Sequence, residues 1–342
     1  MTIWRKRPGN LSMKKQASIL IITVWALSIL SIFTVSLSYV AMTQARYASH
    51  LQSRVKLYYL ARAGVEKAIV ELENKEESDY MAFDQPVLNN EELFKDIPLG
   101  DGFITLSYTV DEGALGQQAT LYGVMDESSK IDINSMPVNI LASMLERIAG
   151  VEKENSIDMA QAMADWRSPN QDPEVKKYYE ELEMPYENKG AKFEVAEELL
   201  LVRGMTEEVF SKIKDSITLY GTKSININTA GFNVFYALGL SKSLSNRVIE
   251  YRKGKDFISG TDDDRIFKTV NDLRNIGFLF TEDSMQINAL ISGNIIKTNS
   301  DTFRINSLGH FEEGQSRVLR NITCVIRLRD KQKPEILYWY EN

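Results

Sequence analysis

The most prominent hydrophobic feature of the chain is a run of 25 residues, Ser18 to Met42, without a charged side chain. As a helix rising 1.5 Å per residue it would be about 37 Å long, more than the roughly 30 Å hydrocarbon core of a bilayer. A secretory signal peptide has an apolar stretch of only about 7–15 residues. The run therefore predicts a membrane-spanning helix rather than a signal peptide or a buried core helix.

Helical periodicity continues beyond this run. Residues 43–75 contain no proline, and their apolar side chains recur every three or four positions, which is typical of one helix face. We therefore predict one helix that passes from the membrane into the core of a folded domain. The charged stretch 73–79 would end it.

Alternating apolar and polar residues predict strands at both ends of the remaining chain, with a long helical stretch between them. This pattern predicts an α+β fold in which a helical region is inserted into one small antiparallel sheet. The predicted strands are Phe103 to Val110, Ala119 to Val124, Phe303 to Gly309, Arg317 to Leu328 and Glu335 to Tyr340.

The helical stretch contains an internal repeat. The segment 131–141 (IDINSMPVNIL) matches 225–235 (ININTAGFNVF), and Asp165-Trp166-Arg167 parallels Glu250-Tyr251-Arg252. A third pair of segments, starting at Phe193 and Phe267, follows in the same order. Because several elements recur in one order, we predict two related helical modules, at 126–220 and 221–299.

Charge is distributed unevenly along the chain, which has a net charge of −7. Residues 1–17 contain five basic and no acidic side chains, so the remaining 325 residues carry −12. Basic residues before an apolar helix predict a cytoplasmic N-terminus and a translocated body. The single cysteine excludes an intramolecular disulfide and any multi-cysteine metal site.

The N-terminal segment resembles that of type IV pilins and type II secretion pseudopilins, which carry a short basic leader before the apolar helix. The resemblance implies cleavage by a prepilin peptidase between Ala17 and Ser18, followed by methylation. Ala17 stands where the family usually has Gly. Ile22 occupies the helix position at which major pilins carry Glu, and this absence is similar to the K-type minor pseudopilin.

Two further segments resemble the same family. Residues 59–68 (YLARAGVEKA) are similar to a pseudopilin helix pattern, and the duplicated modules are similar to the helix-hairpin-helix (SAM-like) modules of K-type pseudopilins. The implied fold is a pilin-like long helix packed on a small antiparallel sheet, with both modules inserted. The implied segments are a leader at 1–17, a transmembrane part at 18–42, a pilin-like domain at 43–125 and 300–342, and the modules between them.

This resemblance implies a minor pseudopilin at the tip of the type II secretion pseudopilus, needed to initiate its assembly and to export folded proteins. It would be a single-pass inner-membrane protein with a periplasmic body. The implied partners are the I-type and J-type minor pseudopilins, the inner-membrane assembly platform and the prepilin peptidase.

Two other functions fit parts of the same pattern. Helix-hairpin-helix modules often bind DNA through backbone N–H groups, so a membrane-anchored DNA-binding or competence protein is one alternative. The acidic body makes nucleic acid an improbable partner, because such binding depends on neutralising phosphates. A minor pilin of a type IV pilus machine is the other alternative.

The sequence contains no phosphate-binding loop and no recognisable catalytic motif, so we predict no enzymatic activity. One loop offers oxygen ligands of the kind that calcium prefers, from Asp165, Asn170, Asp172 and Glu174. The K-type resemblance implies a structural calcium in this helical region. The alternative is a solvated polar loop without a metal.

Overall fold

The computed structural model describes residues 11–75, 78–111, 113, 118–170, 172–277, 279–313, 316–329 and 333–342. The chain divides after Lys56 into two compact units, which are described separately. The helices are α1 Leu11–Glu73, α2 Glu91–Phe94, α3 Val138–Arg147, α4 Lys153–Trp166, α5 Pro173–Glu180, α6 Glu207–Ile213, α7 Phe232–Ala237, α8 Lys242–Arg252 and α9 Thr281–Ser292.

The strands are β1 Ile97–Leu99, β2 Gly102–Asp111, β3 Gln118–Tyr122, β4 Met125–Asp126, β5 Ile131–Asp132, β6 Ile217–Thr218, β7 Ile225–Asn226, β8 Ile296–Lys297, β9 Thr302–Glu313, β10 Ser316–Arg327 and β11 Glu335–Glu341. Short 3₁₀ helices lie at Glu127–Ser129, Ala196–Leu201, Lys214–Ser216 and Val270–Asn275.

The first unit consists, in its described part, of the N-terminal portion of α1. From residue 19 onward nearly every side chain here is exposed, including the apolar ones. The hydroxyls of Thr23, Ser28, Thr34 and Thr43 each donate to a carbonyl oxygen three or four residues earlier. The helix is long and apolar enough to cross a membrane, by length and composition. These four hydroxyls are thus satisfied within the helix, as a lipid environment requires.

In the second unit, α1 packs on the sheet. Its buried side chains recur at intervals of three and four residues, so a single helix face contacts the sheet. This face consists of Leu57, Leu60, Ala61, Val65, Ala68 and Leu72. The helix ends at Glu73, at the beginning of the charged stretch that predicted its end.

The sheet is antiparallel, with the strand order β1-β2-β9-β10-β11; β3 also pairs with β2, and β4 with β9. The pairing of β9 with β10 is long, and a register shift opposite Val325 and Ile326 leaves one extra residue, Leu337, on β11. A hydrophobic core of α1, β2, β9 and β10 residues fills the space between helix and sheet.

The inserted helical region connects β4 to β9 and contains two structurally similar modules. The first is closed by the parallel pair β5–β6, and the second by the parallel pair β7–β8. Between the two strands of each pair the chain forms a helix, a second helix, a 3₁₀ helix and a further helix. The first module adds α5 and the short 3₁₀ helix Lys214–Ser216. One continuous hydrophobic core spans both modules.

Candidate functional site

The predicted processing site lies at the start of the apolar helix. Ala17 and Ser18 belong to α1, but their side chains lie outside the described residues, as do residues 1–10. Ile22 is 64% exposed on the same helix, so an apolar side chain is presented where major pilins carry Glu. Cleavage between Ala17 and Ser18 stays a prediction.

The predicted calcium ligands lie at the end of α4 and the beginning of α5. Asp165 accepts a hydrogen bond from the side-chain amide of Gln161 at 2.9 Å. Asp172 caps α5 by accepting the backbone N–H of Glu174, also at 2.9 Å. Both carboxylates therefore have local structural partners.

Among the described residues, no group of three or more His, Cys, Asp or Glu side chains is gathered as a metal ion would need. The carboxylates of Asp165, Asp172 and Glu174 accordingly form no such cluster. The arrangement does not fit a carboxylate-rich calcium site, and calcium binding at this loop stays a prediction.

The sequence repeat corresponds to a repeated hydrogen-bond clamp. In the first module, the side-chain amide of Asn134 donates to the carbonyl of Phe193 at 3.0 Å and accepts from its N–H at 2.8 Å. In the second, Asn228 makes the same two bonds with Phe267, both at 2.9 Å. Each asparagine fixes the distant loop that precedes the 3₁₀ helix of its module.

A repeated arginine completes the clamp. Arg167 donates to the carbonyls of Ile133 and Met136, and Arg252 donates to those of Ile227 and Ala230. Each guanidinium thus holds the turn between the first strand and the first helix of its module. The planar fork of arginine suits two adjacent carbonyl groups.

The aromatic residue before each arginine packs on the clamped phenylalanine. The rings of Trp166 and Phe193 are stacked with centroids 6.4 Å apart, and those of Tyr251 and Phe267 are stacked at 5.1 Å. The three recurring sequence elements therefore meet at one point in each module.

The two modules are joined by Arg147, the last residue of α3. Its guanidinium donates to the carbonyls of Tyr236 and Leu240 at 3.3 and 3.0 Å and lies over the Tyr236 ring. A cation at the C-terminal end of α7 also interacts favourably with the helix dipole. This contact between modules was not predicted from the sequence.

A glycine lies in a turn before a helix in each module, Gly204 before α6 and Gly239 before α8. The helix-hairpin-helix character of the modules stays a prediction. Gly204 and Gly239 have φ of +85° and +96°, which favours glycine. The N–H groups after these glycines are engaged within the protein, since Met205 donates to Val202 and Leu240 donates to Phe235. They are therefore not directed outward to a phosphate.

A buried carboxylate, Asp126, joins the inserted region to the sheet. It accepts hydrogen bonds from Asn226, Thr229, Ser300 and the N–H of Ser128, at distances between 2.5 and 2.7 Å. Burial raises the pKa of Asp126, and these donors oppose that shift. This one side chain connects the start of the insertion, its second module and the segment that returns to β9.

A buried ion pair lies beside Asp126. The Arg304 guanidinium on β9 donates to both oxygens of Glu127, and the hydroxyl of Thr218 donates to the same carboxylate at 2.7 Å. Burial alone would raise the pKa of Glu127, but the charge and hydrogen bonds of Arg304, the charge of Lys130 and the hydrogen bond from Thr218 together hold the pKa below its usual value. The ion pair fixes the first module to the sheet.

Two glycines allow α1 to approach the sheet closely. A Cβ atom at Gly64 would lie 2.0 Å from Ser307 Oγ, and one at Gly309 would lie 2.6 Å from the backbone nitrogen of Ala61. Gly64 belongs to the helix pattern that resembles pseudopilins. The pattern therefore has a packing reason in this chain.

Residues 121–222 match the family model described as Type II secretion system (T2SS), protein K. This matched segment contains the first module with its clamp, Asp126 and Glu127. Residues 121–222 are therefore similar to protein K of the type II secretion system. The match confirms the predicted K-type resemblance for this region.

A solved structure has the same fold as this chain. It is a chain in the crystal structure of the GspK-GspI-GspJ complex from the type 2 secretion system of enterotoxigenic Escherichia coli. The identity is 17%, the match covers 87% of this chain and 99% of the other, and the TM-score is 0.64. The predicted α+β fold, with a long N-terminal helix and an antiparallel sheet, is thereby confirmed. A search of curated proteins finds no match.

Proposed function

We propose that this chain is the tip subunit of a type II secretion pseudopilus and initiates its assembly. The observation that carries the proposal is the construction of the second unit. There α1 packs on an antiparallel sheet, and a large helical region is inserted between β4 and β9. The protein K family match supports the same assignment. A bulky insertion is compatible with the end of a filament, where no further subunit must pack above it.

The apolar part of α1 anchors the subunit in the inner membrane before assembly. The N-terminus is cytoplasmic and the body periplasmic, since the leader is basic and the body acidic. After cleavage by the prepilin peptidase, this helix leaves the bilayer for the packed centre of the filament. Its exposed apolar side chains are suited to both environments.

Ile22 supports a position for this subunit at the top of the filament. A carboxylate at this place in a major pilin is thought to pair with the free amine of a neighbouring subunit, and a charge in lipid is costly unless paired. An isoleucine cannot make that pair. A subunit with no neighbour above it does not need one.

The proposed partners are the I-type and J-type minor pseudopilins, which would pack along α1 in residues 43–75, and the inner-membrane assembly platform. The structurally similar chain was solved in a complex of three proteins, GspK, GspI and GspJ, which supports this choice of partners. The proposed role is mechanical and requires no catalytic residues.

Peptide mapping tests the processing step. We expect the mature protein to begin at Ser18, with a methylated amine. A cell-derived protein that keeps residues 1–17 would contradict the pilin-type pathway. Substituting Ala17→Gly provides the family's usual residue as a control for cleavage efficiency.

Co-purification tests the tip assignment. The full chain is co-expressed with tagged I-type and J-type partners, and we expect a complex with one copy of each subunit. Leu51→Lys with Val55→Lys places charge at exposed apolar positions of α1 and is expected to reduce recovery at least tenfold. Met285→Lys, at an exposed apolar position of α9, is the matched control and should leave recovery unchanged. Failure of the unsubstituted chain to form any complex would refute the assignment.

A further inference from the structure

The two modules differ at matching exposed positions. Their 3₁₀ helices begin with the same capping bond, from Val195 N–H to Glu198 in one module and from Thr269 N–H to Asp272 in the other. The next residue is a buried leucine in both, Leu199 and Leu273. The repeat therefore aligns these segments residue by residue.

The two residues after that leucine are apolar in the first module and polar in the second. The two following positions are exposed in both modules, but they are Leu200 and Leu201 in the first and Arg274 and Asn275 in the second. The second module shows that polar residues at these two positions are compatible with the fold. Packing within the module therefore does not explain the exposed leucines of the first.

The first module also has a longer connection between its clamped elements. The segment from Arg167 to the residue before Phe193 contains α5 and a loop in which Met184 is 82% exposed. Tyr178, near the end of α5, is 37% exposed. This segment adds further apolar surface to the same module.

Two contacts bring the segments that carry these residues together. The hydroxyl of Tyr186 donates to the carbonyl of Leu201 at 2.7 Å, and the guanidinium of Arg203 lies 5.3 Å from the centre of the Tyr178 ring. We call Tyr178, Met184, Leu200 and Leu201 the module 1 surface. Exposed apolar side chains with a polar border are typical of a site of protein interaction.

The border of this surface carries more negative than positive charge, although Arg203 contributes one cation beside Tyr178. Lys176 and Lys177 are paired with Glu180 and Glu181 at 3.9 and 3.6 Å. Exposed Glu183 and Glu187 lie on either side of Met184, and neither forms an ion pair within the part of the chain that the structure describes. A partner with basic side chains beside its apolar ones would complement this border.

We propose that the module 1 surface binds a segment of another protein that combines apolar side chains with lysine or arginine. Its acidic border disfavours a second copy of the same surface, because like charges would meet, and it disfavours an anionic lipid surface for the same reason. This inference goes beyond the proposed function and does not depend on filament assembly.

The test uses the full chain in nanodiscs of neutral phosphatidylcholine, with empty nanodiscs as the blank. Three fluorescent 14-residue peptides serve as probes, built from Leu and Lys, from Leu and Glu, and from Ser and Lys. We expect the Leu/Lys peptide to bind at least tenfold more tightly than the other two. The substitutions L200R and L201N together, which copy the second module, should weaken that binding at least tenfold.

Met184→Gln provides a second variant on a separate segment, and Met285→Lys is the control in the second module. Met184→Gln should weaken binding, and Met285→Lys should not. Thermal unfolding of each variant establishes that it is folded. Equal binding of the Leu/Lys peptide to the original chain and to the L200R/L201N variant would overturn the proposal. Tighter binding of Leu/Glu than Leu/Lys, or a dimer of the chain that the same variant dissociates, would also overturn it.

Discussion

Gly64 of α1 lies so close to Ser307 of β9 that a Cβ atom at position 64 would be 2.0 Å from the serine oxygen. The helix core and the sheet are therefore in direct contact at this point. Gly64→Ala would favour the helix by about 1 kcal/mol but would overpack this contact. We expect a net loss of about 1–2 kcal/mol in the free energy of unfolding.

Urea unfolding of the detergent-solubilised chain, followed by tryptophan fluorescence, measures this loss. Ser307→Ala in the same chain should restore part of it, because it removes the clashing oxygen. A Gly64→Ala chain as stable as the original would show that the helix can shift away from the sheet at little cost.

Arg252 and Arg167 make equivalent bonds in the two modules but differ in burial. Arg252 is 6% exposed, whereas Arg167 is half-buried. A lysine ammonium lacks the rigid planar guanidinium with which each arginine holds its two carbonyls. We expect Arg252→Lys to cost about 2–3 kcal/mol and Arg167→Lys about 1 kcal/mol, since water can replace the bonds of the more exposed residue.

Hydrogen exchange identifies where the loss occurs. Amides of residues 225–231 should exchange faster in the Arg252→Lys chain, and those of residues 131–137 should not. Equal losses of stability in the two variants would mean that burial does not determine the contribution of the clamp.

Glu127 predicts a specific pH dependence. Its pKa is lower in the folded chain than its usual value of 4.5, so ionisation stabilises the fold. This contribution is complete above pH 4.5 and is lost as the pH falls through the folded pKa. Glu127→Gln leaves Arg304 buried without its counter-charge and should cost about 3 kcal/mol at pH 7.

Unfolding midpoints in urea at pH 7 and at pH 4 test this dependence. The difference between the original chain and the Glu127→Gln variant should shrink at pH 4, because a glutamate with the usual pKa of 4.5 in the unfolded chain binds a proton there and so stabilises the unfolded state. Glu341→Gln, which removes an exposed ion pair with Arg320, is the control and should cost less than about 1 kcal/mol at pH 7. A difference that is the same at both pH values would mean that ionisation of Glu127 does not contribute.

Asp172 distinguishes a helix cap from a calcium ligand. Asn caps a helix as well as Asp but has no charge, so Asp172→Asn should change stability by less than about 0.5 kcal/mol without calcium. Asp172→Ala should cost about 1 kcal/mol. If the loop binds calcium, added CaCl₂ should raise the melting temperature of the original chain more than that of the Asp172→Asn variant. An identical shift in both chains would remove Asp172 from the predicted ligands.

Much of the fold was predictable because its signals are periodic. The charge-free run and the spacing of three and four after it specified α1, and alternation specified the long strands β2, β9, β10 and β11. Strands β5 to β8 have only two residues each, which is too short for alternation to be visible. The helix α2 has four residues and shows no period either.

The repeat was visible in the sequence, but its physical reason was not. Matching letters at Asn134 and Asn228, or at Arg167 and Arg252, do not show that these side chains bind backbone groups far along the chain. Arg147 had no repeated counterpart and so gave no signal. Asp126 and Glu127 lie before the first repeated segment, which begins at residue 131. Only the fold reveals that they join the insertion to the sheet.

The parallel strand pairs have a consequence for the origin of the molecule. Because β5 lies beside β6 and β7 beside β8, each module returns the chain close to where it left. Such a closed segment can be added to a connection between two strands without changing the register of the host sheet. Tandem duplication of one ancestral module would then lengthen the chain and leave the helix and sheet intact. Each copy could afterwards acquire its own surface residues.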